Sequence, residues 1–300
     1  MKPWGNYYLR SIMLFLNFLK IKNRFQWVYT RDLIFAFLVT KFLKKKVIYE
    51  IHDLSHGYHW YFLFRRVFKN LTSCIVISEG LKEELIAKGF KRDKIHVLHD
   101  AVDLDKFNVE ISKEKAREIL DLPRDKIIVS YIGSLQKWKG YETFLKSYKY
   151  LKNRDVIYLV VGGSRRQIEK LREKYNNIVF IPFVDNEKIP LYLKSSDILV
   201  IPNSSRYTIS IKYTSPLKLF EYMASKRPIV ASDLPSIREI VSEDEVLFFK
   251  PEDEKDLADK IDMLVEDRDL QIKLAENAFK KVQNYTWENR AKRILEIFEG

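Results

Sequence analysis

Short apolar runs alternate with longer stretches along most of the chain, and this pattern predicts strands that alternate with helices. The runs Val47–Ile51 and Ile127–Ile132 are typical of buried strands, because apolar residues dominate them. The stretches 33–43 and 165–175 have the length and composition of helices. Alternation at these lengths predicts parallel sheets that are covered by helices on both faces.

The polar segment 103–125 interrupts this alternation, since it is rich in Lys, Glu and Asp. About four strands are predicted before it and at least six after it. We therefore predict an α/β protein with two doubly wound, Rossmann-like domains, whose ligands bind beyond the carboxyl ends of the strands. The predicted parts are a first domain at 1–108, a connector at 109–125, a second domain at 126–284 and a C-terminal helix at 285–300.

The chain carries a formal net charge of +12, most of it near the amino terminus. Residues 1–70 contain thirteen Lys and Arg residues against three acidic residues, interleaved with apolar clusters at 13–16 and 60–64. This composition is typical of contact with an anionic membrane surface, and equally of core helices that carry solvated lysines. No helix-turn-helix, zinc-finger or RNA-binding signature accompanies the charge, so we expect no nucleic-acid partner.

The apolar segment Ile12–Leu19 is too short to span a bilayer, which takes about 20 residues. The single cysteine, Cys74, excludes an internal disulfide and favours a small core residue in a cytoplasmic protein. His and Cys residues show no metal-ligand spacing, so we expect no metal. Together these features predict a cytoplasmic protein, peripheral on the inner face of the membrane if the basic segment contacts lipid.

The stretch 215–241 has the features of a helix start, a helix, a buried strand and a second helix start. Ser215 is a suitable N-cap and Pro216 suits the first helical position. Free N–H groups at a helix start attract anions, and Lys218 and Glu221 lie one turn apart on this helix. A phosphate at the helix start, with Glu221 one turn deeper for a hydroxyl, fits a sugar nucleotide.

Three further positions are candidates for chemistry. The loop after strand 127–132 contains Gly133 and then Lys139. This loop either presents cations to a diphosphate or is an ordinary exposed loop. Gly162 ends a buried strand and allows close backbone approach, although no G-x-G-x-x-G dinucleotide fingerprint occurs. His52 ends strand 47–51, where it is either catalytic or structural, and Asp53 either orients it or caps the next helix.

The stretch 215–241 resembles the group 1 retaining glycosyltransferases, which have the two-domain GT-B fold. Glu221 stands at the second glutamate of that family's pair, and Tyr213 stands at the position of the first. Residues 228–232 match the strand that follows the family's helix. Lys139 matches the family's Lys-Gly pair, whereas Ser134 occupies the position of its other basic residue.

The resemblance extends from about residue 27 to residue 293. His52 is similar to the family's histidine that faces the donor sugar, and the segment 180–184 is similar to the one near the nucleotide base. The ending around Trp287 resembles the family's last helix, which returns to the first domain. Nothing before Trp27 resembles the strand and glycine-rich turn that open the family's first domain, so the resemblance implies a first domain without its initial strands.

The resemblance implies a retaining glycosyltransferase that moves a sugar from a nucleotide-diphosphate sugar to a lipid-linked or surface-polysaccharide acceptor. It implies no metal and no other cofactor. The implied catalytic residues are His52, Lys139 and Glu221. The implied donor-binding residues are Gly133, Ser134, Lys139, Gly162, Phe183, Val184, Tyr213, Ser215, Leu217, Lys218 and Glu221.

Two other functions stay open at this point. Tyr213, Ser134 and the short first domain favour a catalytically inactive, glycosyltransferase-like binding or scaffold protein. The short first domain also fits a half-enzyme that needs a partner subunit to supply strands. No oligomeric state is predicted.

Overall fold

The computed structural model describes residues 4–54 and 58–299 and shows an α/β protein. The chain divides into two compact units. The first comprises Met1–His99, Lys212–Thr214 and Ala291–Gly300, and the second comprises Asp100–Ile211 and Ser215–Arg290. The first unit thus ends before the predicted boundary at residue 108, and residues 109–125 belong to the second unit.

The first unit contains a parallel four-stranded sheet of order β1-β2-β3-β4. Its strands are β1 (Trp27–Thr30), β2 (Lys46–Ile51), β3 (Ser73–Val76) and β4 (Ile95–Val97). Its helices are α1 (Trp4–Leu19), α2 (Leu33–Leu38, continued by a π turn at Val39–Leu43), α3 (Tyr58–Phe68) and α4 (Glu79–Ala87). Strand β2 lies where the run 47–51 predicts it, because that short apolar run becomes buried.

The second unit contains a parallel six-stranded sheet of order β10-β9-β8-β5-β6-β7. The strands are β5 (Ile127–Ile132), β6 (Val156–Val161), β7 (Ile178–Ile181), β8 (Ile198–Ile201), β9 (Ile229–Ser232) and β10 (Leu247–Phe249). The helices are α5 (Leu104–Phe107), α6 (Lys113–Ile119), α7 (Tyr141–Ser147), α8 (Arg165–Lys174), α9 (Ile189–Ser195), α10 (Thr208–Lys212), α11 (Leu217–Ala224), α12 (Pro235–Arg238), α13 (Glu254–Glu266) and α14 (Arg268–Val282). This strand order is doubly wound, and it reverses between β5 and β8.

Alternating residues of β5 show why both faces of this sheet are covered. Ile128 and Ile132 pack into one apolar cluster, and Val129 and Tyr131 pack into the other. Successive side chains of a strand point to opposite faces, so a strand buried on both sides is apolar along most of its length. The predicted doubly wound, Rossmann-like fold is confirmed.

The last helix, α15 (Trp287–Glu299), ends in the first unit. Ile294, Ile297 and Phe298 pack against Ile48 of β2 and Ile75 of β3. The helix therefore covers the face of the four-stranded sheet opposite the larger core of that unit. None of the helices within the described ranges is long and apolar enough to cross a membrane.

Candidate functional site

The candidate site lies in the second unit, beyond the carboxyl ends of β5 and β8, where the strand order reverses. Loops that leave a sheet at such a point diverge to opposite faces and leave a crevice. Gly140 holds the loop after β5 against the end of β8, because a Cβ there would lie 1.7 Å from the carbonyl oxygen of Pro202. Its φ of 65° also favours glycine. The Lys139–Gly140 pair is thus explained by packing as well as by charge.

A cavity of about 670 Å³ opens beside this crevice. Five predicted site residues line it, namely Gly133, Ser134, Gly162, Phe183 and Val184. Gly162 brings the ends of β5 and β6 together, since a Cβ on it would lie 2.0 Å from the carbonyl oxygen of Gly133. Phe183 is 76% exposed, which leaves its ring available to a planar ligand.

Lys218 places a buried ammonium at the start of α11. Its Nζ lies 4.2 Å from the ring centroid of Tyr131, and a Cβ on Gly133 would come 3.7 Å from it. No residue within the described ranges accepts a hydrogen bond from this Nζ. Burial lowers the pKa of Lys218 well below its ordinary value, and the nearby charge of Lys139 lowers it further, while Glu221 opposes both.

Glu221 is the acidic residue that acts on Lys218 and Lys139. Burial raises its pKa, and Lys218, Lys106 and Lys139 act against the rise. The pKa of Lys139 is in turn lowered by burial, with Glu221 opposing that shift. The structure therefore brings the three predicted charged residues into one electrostatic group and adds Lys106 of α5 to it.

Helix α11 is fixed to β5 by Tyr222. The Tyr222 hydroxyl accepts from the N–H of Ile132 (2.9 Å) and donates to the carbonyl of Ile132 (3.0 Å). The predicted start of this helix is wrong by one residue, because Pro216 is the N-cap and no side chain caps the helix. The Ser215 hydroxyl instead accepts the N–H of Asp100 at 2.8 Å.

Two other predicted positions on or before α11 have different surroundings. Leu217, which the resemblance implies as a donor-binding residue, is 47% exposed. Tyr213 belongs to the first unit, where its hydroxyl donates to the carboxylate of Glu84 on α4. The structure therefore gives Tyr213 a hydrogen-bond partner within the first unit.

His52 also belongs to the first unit and follows the last residue of β2. Its Nε2 lies within hydrogen-bonding reach of Glu50, a carboxylate that also accepts from the hydroxyl of Tyr29. Glu50 is only 4% exposed. A buried carboxylate of this kind fixes the ring orientation and the tautomer of its histidine. Glu50 makes this contact, whereas the sequence offered Asp53 either to orient the ring or to cap the next helix.

Sequence reasoning missed four residues of these two sites, namely Lys106, Glu50, Tyr222 and Asn203. Asn203 follows β8, is fully buried, and finds no partner within the described ranges for its amide oxygen or nitrogen. Buried polar atoms without partners are rare in folded proteins and mark positions where a ligand can bind. A polar residue two positions after an apolar strand run, beyond Pro202, was the one signal in the sequence that could have identified Asn203.

Comparison with known families identifies the class of protein. The family model described as "Glycosyl transferases group 1" matches residues 112–281, more than half of the chain. The model described as "Glycosyltransferase Family 4" matches residues 2–106. The chain belongs to the group 1 glycosyltransferases.

Individual relatives agree with this assignment. An uncharacterized glycosyltransferase of Methanocaldococcus jannaschii is 25% identical over 237 residues, which are 75% of this chain and 59% of that protein. An N,N'-diacetylbacillosaminyl-diphospho-undecaprenol alpha-1,3-N-acetylgalactosaminyltransferase of Campylobacter jejuni is 26% identical over 79% of this chain and 62% of its own length. The chain thus spans about three fifths of the length of these relatives.

Solved structures show the same fold. HepE from Anabaena, crystallised with UDP, superposes with a TM-score of 0.82 at 16% identity, over 95% of this chain and 82% of HepE. Sucrose-phosphate synthase from Thermosynechococcus elongatus superposes with a TM-score of 0.78 at 20% identity, over 100% of this chain and 80% of that one. The fold is that of the GT-B glycosyltransferases.

Proposed function

We propose that the chain binds the diphosphate of a nucleotide-sugar donor at the carboxyl edge of the six-stranded sheet and transfers the sugar with retention of configuration. The observation that carries this proposal is the buried ammonium of Lys218, which lies beside Gly133 without an acceptor in the described part of the chain. An incoming diphosphate would compensate this charge. Relatives named for glycosyl transfer, and HepE crystallised with UDP, support the proposal.

The chemistry requires the departing diphosphate to be stabilised while the glycosidic bond breaks. Lys139 and Lys218 supply positive charge, and the free N–H groups at the start of α11 add their partial charges. Glu221, one turn further along the helix, accepts hydrogen bonds from the ribose hydroxyls. The family resemblance assigns contact with the donor sugar to His52, and the Glu50 carboxylate would hold its imidazole for that role.

Nucleotide binding tests this assignment directly. Calorimetric titration with UDP, GDP and their glucose conjugates should give saturable binding of at least one of them. Glu221→Ala should weaken that binding tenfold or more, because hydrogen bonds to a charged group contribute about 1.5–3 kcal/mol each. Glu276→Ala, on the exposed side of α14, is the matched control and should bind like the unmodified chain. Absence of binding at high micromolar nucleotide would contradict the proposal.

The proposed mechanism uses lysines and needs no divalent metal. The described side chains contain no group of three or more His, Cys, Asp or Glu residues close enough to hold an ion. The two Asp-x-Asp triplets, at 103–105 and 267–269, lie at helix starts, where Asp103 caps α5 and Asp267 caps α14. Transfer activity should therefore survive EDTA, and a loss that manganese restores would overturn this part of the proposal.

A non-catalytic nucleotide-binding protein is the second candidate function, and Tyr213 is the observation that favours it. At the position of the family's first glutamate, this chain has a hydroxyl already bonded to Glu84. Such a protein would bind nucleotide and lose that binding in Glu221→Ala, yet would release no UDP from UDP-sugars. Measuring nucleotide release beside binding separates the two functions.

We also propose that the basic amino-terminal part contacts an anionic membrane. Helix α1 carries seven large apolar side chains that are 40–58% exposed: Tyr7, Tyr8, Leu9, Ile12, Met13, Leu14 and Leu16. Exposed cations accompany them at Arg10, Lys20 and Arg24. An apolar helix surface beside cations is complementary to an anionic lipid surface. Of the basic residues counted in 1–70, Lys2 lies outside the described residues.

Co-sedimentation with vesicles tests the membrane proposal. Each cation near an anionic surface contributes about 1 kcal/mol, so Arg10→Glu/Lys20→Glu/Arg24→Glu should lower partitioning roughly a hundredfold. The run 44–46 is a poorer target, because Lys45 donates to the carbonyl of Phe25 (2.6 Å) and Lys46 lies over the Trp27 ring.

The control for the vesicle experiment reverses three exposed lysines of the second unit, Lys255, Lys273 and Lys280. This variant should sediment with anionic vesicles like the unmodified chain, and both should be released by salt, since the Debye length is about 10 Å at 0.1 M. Equal binding to neutral and anionic vesicles would contradict the proposal and indicate that these cations are ordinary solvated side chains.

A further inference from the structure

A second, smaller cavity lies at the opposite edge of the six-stranded sheet, at the amino ends of β8 and β9. Its volume is about 360 Å³, within the range of about 300–1,000 Å³ that is typical of ligand pockets. Four cationic side chains line it, namely Lys113, Lys226, Arg227 and Arg268, and the acidic residue among the lining side chains is Asp197. Because ligands of the nucleotide type bind beyond the carboxyl ends of strands, this cavity is separate from the site described above.

The carboxylate of Asp197, the acid of this cavity, already accepts three hydrogen bonds. Asp197 accepts from Lys113 Nζ (2.7 Å), from Arg117 Nη2 (2.5 Å) and from the backbone N–H of Ile128 (2.7 Å). Arg117 is only 2% exposed, so this ion pair belongs to the core. Asp197 therefore balances Lys113 and Arg117 and leaves the remaining cations of the cavity without a paired acid.

A buried lysine adds to the uncompensated charge. Lys194, at the end of α9, is 8% exposed, and no residue within the described ranges pairs with its ammonium. Burial lowers its pKa to about 8, and the charges of Arg227 and Lys226 contribute to the decrease. Lys194 and the half-buried Arg227 therefore repel each other, and Lys226, which is exposed with its Nζ 4.1 Å from the Phe279 ring centroid, adds to this repulsion. An anion that joined these cations would relieve it.

Arg227 is held at this position by the backbone. Its Nη2 donates to the carbonyl of Lys194 at 2.6 Å, whereas its Nε is buried and finds no acceptor in the described part of the chain. Glu114 and Asp197 act favourably on its charge, but burial prevails and lowers the pKa of Arg227. Arg227 directly precedes Pro228 and β9, so the guanidinium is fixed to the rigid end of a strand.

We propose that this cavity binds a small phosphate-bearing anion of the size of phosphate or diphosphate. The anion accepts hydrogen bonds from the guanidinium of Arg227 and from the ammonium of Lys226, which both line the cavity, and the nearby charge of Lys194 adds to the attraction. Arg268, exposed at the start of α14, adds a further cation at the rim. Phosphate oxygens suit this set because guanidinium and ammonium groups bind them through charge-assisted hydrogen bonds. The proposal does not depend on the activity at the other edge of the sheet.

Pyrophosphate is the probe that tests this site. The titration is made on the full chain carrying Lys139→Met and Lys218→Met, so that binding at the carboxyl edge does not contribute. Saturable binding is expected, accompanied by a rise in Tm of about 3 °C or more at saturating pyrophosphate. Adding Lys226→Gln and Arg268→Gln should weaken binding at least tenfold, because two charge-assisted contacts are lost.

Lys273→Gln is the matched control, because it removes an exposed lysine from α14 that does not line the cavity. It should leave pyrophosphate binding unchanged. Lys194→Met provides an independent measurement, since it should raise Tm without pyrophosphate and reduce the further rise that pyrophosphate gives. No saturable binding in the background variant, or equal weakening by Lys273→Gln and by the Lys226/Arg268 pair, would overturn the proposal.

Discussion

The two edges of the six-stranded sheet both collect buried cations, but they differ in where the acid lies. At the carboxyl edge, Glu221 remains half-buried beside Lys139 and Lys218, and its pKa is raised. At the amino edge, Asp197 is committed to Arg117 and to the backbone of β5. The comparison indicates that one acid has a structural role, whereas the other is available to a ligand.

The buried lysines, in contrast to the acids, are alike at the two edges. Lys218 and Lys194 both have pKa values lowered by burial and by neighbouring cations. A folded protein that keeps such groups loses stability compared with one that has an apolar side chain there. We infer that both positions are kept for anions, and that stability and binding should respond in opposite directions when either lysine is removed.

The largest expected effect comes from breaking the structural ion pair. Asp197→Asn leaves the guanidinium of Arg117 buried without its counter-charge, so the free energy of unfolding should fall by about 3–5 kcal/mol. Glu221→Gln, the matched change at the other edge, removes an acid whose pKa is already raised and should cost much less. Urea denaturation of both variants measures the difference, and similar losses in the two would contradict the assignment of roles.

The next largest effect is at the carboxyl edge, where replacing Lys218 should lower UDP affinity without lowering the free energy of unfolding. Lys218→Met should weaken UDP binding tenfold or more, because it removes a charge-assisted contact to the diphosphate. Without nucleotide, its free energy of unfolding should not fall, since an unpaired buried cation is replaced by a side chain of similar length.

Lys194→Met is the control for this second prediction. Its free energy of unfolding should likewise not fall. Its UDP affinity should be unchanged, because Lys194 belongs to the amino edge. A marked loss of stability in Lys218→Met would show that its ammonium has a partner inside the folded protein and that no ligand is needed to compensate it.

The fold followed from the sequence to a large extent, since buried parallel strands are apolar runs that stand out between polar segments. The strands predicted at 47–51, 127–132 and 228–232 lie within one residue of β2, β5 and β9. The cap at Ser215 was wrong, and the first compact unit ends at His99, before the predicted boundary at 108. Both depend on which residues meet across the fold, as the bond from the N–H of Asp100 to Ser215 illustrates.

The candidate site was predicted where its residues are close together in the sequence. Lys218 and Glu221 share one helix turn, and the glycine turns follow strands directly. Lys106 was missed because its role depends on a tertiary neighbour, Glu221, for which spacing along the chain contains no signal. Glu50 stands two residues before His52, a spacing that puts both side chains on the same side of an extended strand, so the sequence did contain a signal for that pair.

The smallest predicted effect is a proton taken up when UDP binds. The pKa of Lys218 is lowered in the folded protein, so part of the population is neutral at a pH where an exposed lysine would be charged. A bound diphosphate favours the charged form and raises this pKa. Calorimetry in buffers of different ionisation enthalpy should show uptake of a fraction of a proton, growing as the pH rises towards the pKa of the bound form.

The sign of the accompanying stability change follows from the same lowered pKa. Between the folded pKa of Lys218 and its ordinary value, the unfolded chain binds more protons, so the stability of the free protein should rise with pH across that window. Lys218→Met should abolish both the proton uptake and this part of the rise. Glu221→Gln is the control, because it removes the uptake that Glu221 itself could contribute and should leave that of Lys218. Proton release in place of uptake would contradict the placement of the diphosphate beside Lys218.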